Sequence, residues 1–561
     1  MQWWEPLLWL LAFSAPWAFP HHALIINEIA IVALFAVSLD LVLGYSGIVS
    51  LGHASFLGFG AYTAALFAKW IHPDPLLGLA VGTASACVLG ALCSATILRG
   101  SDLTRLMVTL GMALILFELA NKFDGLTGGS DGLQGVVMGP VLGRFEFDLM
   151  GQVAASYSLA VLLLLFFLAR RLVHSPFGAT LMAVRDNRLR AMAIGIPVSA
   201  RLAAVYTIAA GVAGAAGALM AQTTGFASLD VFALERSADV MLILVIGGVG
   251  WLYGGVVGAV VFKLMHDVIS NITPAILDVL DGLVFGGLGD GWARALVQAL
   301  DLDGAHMTAA TVVLETHGLV KRFGGITATD HVNLSITQGA RHALIGPNGA
   351  GKTTLINLIT GVLPQSEGRI TLEGADITDL APHQRVSRGL VRTFQINQLF
   401  SGMTPLETLT MVVSQHRGLG SRWWQALGQD KAVVERCGHL LEQFRLTDVM
   451  HQRTEQMPYG KRRLLEMAIA LACEPRVLLL DEPVAGVPAG EREELLHTVS
   501  ALPADVSVVL IEHDMDLVFE FAKRITVLVN GAVLTEGTPA EIAQDPQVKA
   551  VYLGRGEGAH A

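Results

Sequence analysis

Hydrophobic positions fall into two regimes along the chain. Up to about residue 270 they form long runs with few charges, and from Val313 onward they come as short strand-like runs separated by polar and helical stretches. The long runs lie near 24–43, 76–98, 103–121, 157–173, 201–224 and 237–265. Each is close to the roughly 20 apolar residues that carry a helix across a bilayer. Residues 6–19 form a shorter run and read as a first membrane or interfacial segment. The first Lys or Arg is Lys69, so the basic stretch that opens a cleaved signal peptide is lacking. Residues 45–68 are apolar and Gly-rich but contain Ser50, His53 and Ser55. Irregular backbone at membrane depth needs cover from protein or water, so this stretch is either a tightly packed helix or a re-entrant element.

Basic residues orient the runs. The loop 170–201 carries Arg170, Arg171, Arg185, Arg188, Arg190 and Arg201 against one acid, Asp186. The positive-inside rule places it on the cytoplasmic side. The runs 201–224 and 237–265 then supply two crossings and return the chain to that side. Residues 275–289 are expected to stay peripheral. Their apolar side chains are worth about −4 kcal/mol on the insertion scale, against about 5–7 for the two central aspartates Asp278 and Asp281. Residues 301–312 read as a linker.

Charge sharpens this division. Residues 1–300 hold 14 Lys and Arg and 18 Asp and Glu; the totals of 37 and 48 leave 23 and 30 for the shorter remainder. A membrane domain over 1–300 and a soluble domain over 313–561 follow. Both parts are net acidic, which offers no footprint for nucleic acid. Cys87, Cys93, Cys437 and Cys473 lack metal-binding spacing. From Val313 on, short β-type runs alternate with helical ones, the pattern of an α/β domain.

Within that second domain the run Arg341–Ile345 leads into Gly346-Pro-Asn348-Gly349-Ala350-Gly351-Lys352-Thr353-Thr354 and then a helical stretch. This is a phosphate-binding loop in its strand–loop–helix context. Glycines let backbone N–H groups close on phosphates. Lys352 is expected to reach the β- and γ-phosphates of ATP and the Thr353 hydroxyl to bind Mg2+. Further on, Val477-Leu-Leu-Leu-Asp481-Glu482 reads as a buried strand ending in two acids. Asp481 fits the Mg2+-side carboxylate, and Glu482 fits the group that orients or polarises the attacking water.

Three more features appear in the order found in ABC ATPases, the family this half resembles. Gln395 in Arg392-Thr-Phe-Gln395 is similar to the Q-loop, on the metal side of the nucleotide. Met457-Pro-Tyr459-Gly460-Lys461 stands where the signature motif belongs. His513 in Ile511-Glu-His513-Asp514 is similar to the switch histidine. Phe323 stands where the family stacks adenine. FGGITATDHVNL, LLEMAIALA, IEHDMDLVF and the tail GTPAEIAQDPQVKAVYLG resemble the ATPase subunits of branched-chain amino acid importers over 313–555. Two departures stand out. The signature has Pro458 where Ser is usual and Tyr459 where Gly is usual, and the segment after Glu482 has Pro488 where Asn or Asp is common.

The first domain resembles the permease subunits of the same importers over roughly 24–265. The resemblance rests on Gly44–Gly58 with Gly60-Ala-Tyr62, on Leu126-Thr-Gly-Gly-Ser-Asp131, and on Ser175 through Arg185-Asp186-Asn187 to Gly195-Ile. It implies a short cytoplasmic coupling helix at about Asn187–Gly195, docked near Gln395. Asp40, Glu118 and Asp239 are ionisable residues inside apolar runs, hence pathway candidates, interfacial snorkelling groups or helix–helix hydrogen-bonding groups.

The resemblance therefore implies an all-α polytopic transmembrane domain fused to an α/β P-loop ABC ATPase. It also implies ATP and Mg2+ as cofactors and a place in the bacterial cytoplasmic membrane, with the ATPase in the cytoplasm. A second permease subunit, a second ATPase subunit and an extracytoplasmic solute-binding protein are the implied partners. The implied cargo is branched-chain or related amino acids, with urea, amides or aromatic acids as alternatives within the family. An exporter half-transporter and a non-transporting regulatory ATPase are the rival readings.

Overall fold

The computed structural model describes residues 5–98, 100, 102–272, 312–393, 399–484, 499 and 502–553. These divide into two compact units. One takes the described residues up to Arg185 and those from Ser199 to Ile272; the other takes Asp186–Val198 and those from Val312 onward. The segments 275–289 and 301–311 lie outside the described residues.

The first unit is helical: α1 (Glu5–Ala18), α2 (Ala23–Leu43), α3 (Ala54–Trp70), α4 (Pro75–Ile97), α5 (Asp102–Lys122), α6 (Asp124–Thr127), α7 (Gln152–Val173), α8 (Pro176–Asp186), α10 (Val198–Thr224), α11 (Leu234–Gly247) and α12 (Leu252–Ile272). The short α9 (Arg188–Ala193) falls between α8 and α10 in the chain but packs in the second unit. Among the described residues, five helices, α2, α4, α5, α7 and α10, are long and apolar enough to cross a membrane. Their burial is unequal. The apolar windows of α2 and α10 are 72% and 78% buried, and those of α4 and α5 only 22%. Val88, Leu92, Met107, Leu114 and Ile115 are accordingly exposed on α4 and α5, the disposition of helices whose outer face meets lipid.

Residues 45–68 resolve into a turn followed by the tightly packed α3. A Cβ on Gly60 would lie 2.2 Å from the Gly214 carbonyl oxygen, so α3 and α10 touch backbone to backbone. Buried polar side chains tie the helices together. Ser158 donates to Asn27 at 2.6 Å, Asn27 to Thr223 at 3.0 Å, and Tyr157 to Gln222 at 3.1 Å.

The run 237–265 is not the continuous crossing its composition predicts. It is two helices, α11 and α12, meeting at 110°. The cause is local: Gly248 and Gly250 take φ of +102° and +80°, conformations open to glycine and costly for other residues. Asp40 secures the break by accepting from the Gly250 amide at 2.7 Å. This carboxylate is fully buried, whereas Glu118 is exposed on α5 and Asp239 half-buried on α11.

The described residues of the second unit form two sheets. An antiparallel sheet of order β2-β1-β4-β5 comprises β1 (Val312–Phe323), β2 (Ile326–Thr337), β4 (Glu367–Leu372) and β5 (Ala375–Asp376). A six-stranded sheet runs β10-β9-β3-β8-β7-β6, from β3 (Arg341–Ile345), β6 (Leu390–Arg392), β7 (Val477–Asp481), β8 (Ser507–Ile511), β9 (Arg524–Val529) and β10 (Ala532–Gly537). All pairs in it except β9–β10 are parallel. Parallel strands are covered on both faces, which explains the unbroken apolar run at Val477–Leu480. Every residue of β7 and β8 is buried.

Candidate functional site

In an open parallel sheet, ligands collect at the carboxyl ends of the strands. Here the tips of β3, β6, β7 and β8 bring most of the sequence-predicted residues together. The Ile345 end of β3 enters the Gly346–Gly351 loop, which turns into the helix Lys352–Ile359. Gly349 and Gly351 take φ of +81° and +97°. A Cβ on Gly351 would meet the Ala328 carbonyl oxygen at 2.4 Å, so the loop closes only with glycine there. Ala350 is buried beneath it and Asn348 exposed on it. Lys352 arches back over the loop, its Nζ 2.6 Å from the Gly346 oxygen and 3.1 Å from that of Pro347. Partial burial lowers the pKa of this ammonium, and the charges of Glu482 and Asp481 oppose that shift. Thr353 is exposed and Thr354 half-buried in the first turn.

Asp481 ends β7 and is paired with Arg392 at 2.8 Å. Arg392 also donates to Asn357 at 2.5 Å, joining the tip of β6 to the Lys352–Ile359 helix. Glu482 adopts φ +45°, uncommon for a residue with a side chain. Its amide donates to the Ile511 oxygen at 2.9 Å, and its carbonyl accepts from Arg463 at 2.8 Å. His513 is exposed, with Nδ1 3.6 Å from Glu482 Oε1. Glu512, which no sequence motif marks, is buried at the same tip. Burial raises its carboxyl pKa; the backbone bond from His513 and the His513 charge act against that.

Phe323 lies at the exposed end of β1, with Lys321 Nζ 5.3 Å from its ring centre. Tyr459, Gly460 and Lys461 open the helix Tyr459–Ala472, with Pro458 at its N-cap. Lys461 is committed to Asp448 at 2.9 Å and to the Arg445 carbonyl. Gln395 and Pro488 lie outside the described residues. Among the described residues, no group of three or more His, Cys, Asp or Glu is assembled to hold a metal. A Mg2+ site does not need one, since this ion uses one or two carboxylates with substrate phosphates.

The segment Asp186–Val198 packs within this unit. Asn187 caps α9 by accepting from the Arg190 amide at 2.9 Å. Gly195 ends the segment at φ +86°, and Asp186 accepts from the Gly402 amide at 3.2 Å. A cavity of about 240 Å³ is lined by Leu189 and Met192 of α9 together with Thr353, Asn357, Val386 and Arg392. The segment therefore reaches the residues that border the phosphate loop.

Three family models match the chain. Residues 23–288 match the permease component of the branched-chain amino acid transport system, 329–485 the ABC transporter domain, and 532–558 the branched-chain amino acid ATP-binding cassette transporter. The high-affinity branched-chain amino acid transport ATP-binding protein BraF of Pseudomonas aeruginosa is 39% identical over 251 residues, 43% of this chain and 98% of that protein. The probable branched-chain amino acid transport ATP-binding protein LivG of Archaeoglobus fulgidus is 36% identical over 248 residues, 43% of this chain and 95% of that protein. Among solved structures, a nucleotide-free ATP-binding cassette from an ABC transporter is 32% identical, covers 43% of this chain and 99% of its own, and has a TM-score of 0.39.

Proposed function

This chain belongs to the branched-chain amino acid ABC transporter family, with permease and ATP-binding components in one polypeptide, and we propose that it imports branched-chain or related amino acids. It is a multi-pass inner-membrane protein whose ATP-hydrolysing domain is cytoplasmic. The observation that carries the proposal is the placement of Asp186–Val198. This stretch of permease sequence packs with the ATPase and lines one cavity with Thr353. That is what a machine needs if nucleotide state is to move a transmembrane pathway.

The family uses ATP with Mg2+. We assign the phosphate cradle to the backbone amides of Gly346 and Asn348–Thr354, with Lys352 as its cation. Phe323 is assigned to the adenine. Thr353, Asp481 and Gln395 would hold Mg2+, which when bound offsets charge on the phosphate oxygens. Asp481 is oriented by its ion pair with Arg392. We assign Glu482 to orienting the attacking water, and His513, 3.6 Å from Glu482, to contact with the γ-phosphate. We assign the segment that carries Tyr459, Gly460 and Lys461 to the nucleotide of a partner ATPase domain, with Lys461 itself held by Asp448. We assign membrane-domain residues to 1–300, the linker to 301–312 and the ATPase to 313–561.

One chain offers one permease and one ATPase half, and the family works as a multi-subunit complex. A second permease, a second ATPase and an extracytoplasmic binding protein complete the proposal. The test is a competition panel. Uptake of labelled leucine by cells expressing the complete complex should fall with excess isoleucine or valine and stay unchanged with urea, acetamide or benzoate. The reverse pattern would move the cargo to another solute of the family.

A further inference from the structure

Three charged side chains lie in line beneath the catalytic tip of β7, and each is about 1% exposed: Arg190 of α9, then Glu466 and Arg463 of the Tyr459–Ala472 helix. Arg190 Nη1 is 3.5 Å from Glu466 Oε1. The other oxygen, Glu466 Oε2, accepts from Arg463 Nη1 at 2.5 Å. Arg463 then reaches the backbone that carries the catalytic acids. Its Nε donates to the Pro483 oxygen at 2.8 Å, and its Nη2 to the Glu482 oxygen at 2.8 Å and the Asp481 oxygen at 3.4 Å.

We propose that Arg190 is a positioning residue for ATP hydrolysis, acting on the Glu482 backbone through Glu466 and Arg463. The inference rests on the transporter reading above and adds a route within it. Arg190 belongs to the segment of permease sequence that packs in the ATPase unit, so a movement of that segment moves a buried charge. Inside a protein such a charge is weakly screened. Glu466 shares one carboxylate between two guanidinium groups, so its hold on Arg463 depends on where Arg190 stands. Arg463 in turn grips the carbonyl of a residue at φ +45°. An uncommon backbone conformation persists only when its surroundings hold it. The Ile511 oxygen and Arg463 bind the two backbone polar groups of Glu482. A shift of Arg463 therefore re-aims the Glu482 carboxylate.

The relay differs from simple packing in what it should alter. A filler residue affects stability; a relay affects turnover and the ratio of transport to hydrolysis. The experiment uses the full chain co-purified with its associated subunits in proteoliposomes, with ATP hydrolysis and labelled leucine uptake measured together. Arg190→Gln should lower kcat for ATP by about 10- to 100-fold, the cost of a small misplacement at a reacting group. KM should stay within about twofold, and leucine moved per ATP should fall. Arg190→Lys should recover most of the loss. The double variant with Glu466→Gln should lose little more than the worse single variant, because linked residues are not additive. Unchanged kcat and transport ratio in Arg190→Gln, or fully additive losses, would overturn the relay. If Arg190→Gln fails to assemble, Glu466→Asp is read instead. It keeps the charge and shortens the reach, so a fall in kcat is expected and an unchanged kcat overturns the proposal. If the wild-type complex hydrolyses ATP but moves no leucine, the cargo assignment fails, and the kcat comparison still decides the relay.

Discussion

Gln415 Nε2 donates to the carbonyl oxygen of Gly195 at 2.9 Å, tying the turn that ends the permease-derived segment to the ATPase helix Pro405–His416. Gly195 is at φ +86°, and a Cβ there would stand 3.3 Å from Val386 Cγ1. A left-handed backbone costs a residue with a side chain about 1–2 kcal/mol. Gly195→Val should therefore loosen the turn without touching the phosphate loop. ATP hydrolysis should persist while solute uptake falls by at least about tenfold, since 1.4 kcal/mol is a factor of ten. Uptake and phosphate release measured on the same vesicles check this, and intact uptake would place the coupling contact elsewhere.

Lys352→Ala removes the cation that arches over the Gly346–Gly351 loop. Clustered phosphates would then lose their charged partner, and hydrolysis and uptake should both fall to background. Normal uptake by this variant would contradict the assignment of the loop.

His342 gives a pH signature to the ATPase half. Its ring is buried in β3, with Nε2 2.7 Å from Thr526 Oγ1. Burial lowers its pKa to about 4, with Glu536 raising and Arg524 lowering it further down the order of effect. The unfolded chain titrates near 6.5. A depressed folded pKa contributes stability above the unfolded value and loses it as pH falls through the folded one. The contribution should therefore disappear between about pH 6.5 and 4, and its size is of order 3 kcal/mol. Thermal melts of the full chain should show Tm dropping across that window more steeply than in His342→Gln. Identical slopes would exclude a role for this ring.

The two ATP sites of the assembled complex should be unequal. Pro458 precedes the Tyr459–Ala472 helix and brings neither a hydroxyl nor a backbone N–H to an opposing γ-phosphate. Lys461 is held by Asp448 and is poorly placed to compensate. One hydrogen bond to a charged group is worth about 1.5–3 kcal/mol, a roughly 10- to 100-fold difference between sites. Single-turnover hydrolysis should show a strong loss with Glu482→Gln and a smaller one with the matching change in the partner ATPase. Equal losses would indicate equivalent sites.

The chain displays its α/β half openly because burial on both faces forces unbroken apolar strands, as at Val477–Leu480. The phosphate loop is equally legible, since its glycines and Lys352 are needed at fixed spacing. The break between α11 and α12 was hidden. Gly247 to Gly250 are as apolar as the helices beside them, and only their φ angles separate a span from a bend. Arg190 was hidden for a different reason. Among six arginines in a basic loop it reads as a solvated charge, and its partner Glu466 is remote in the chain. Glu512 sits beside the recognisable His513, but its burial follows from the strand tip it shares with Glu482, which no local spacing reveals.

In the proposed mechanism, hydrolysis that depends on Glu482 drives inward movement of an amino acid. Inside-out orientation is avoided by trapping ATP within proteoliposomes so that only correctly placed complexes turn over. Labelled leucine and the binding protein are then supplied outside. With ATP inside, wild-type vesicles should accumulate leucine above the outside concentration. With Glu482→Gln they should bind ATP and accumulate none. Accumulation by the Glu482→Gln complex at the wild-type rate, or wild-type hydrolysis with no leucine movement, would contradict it.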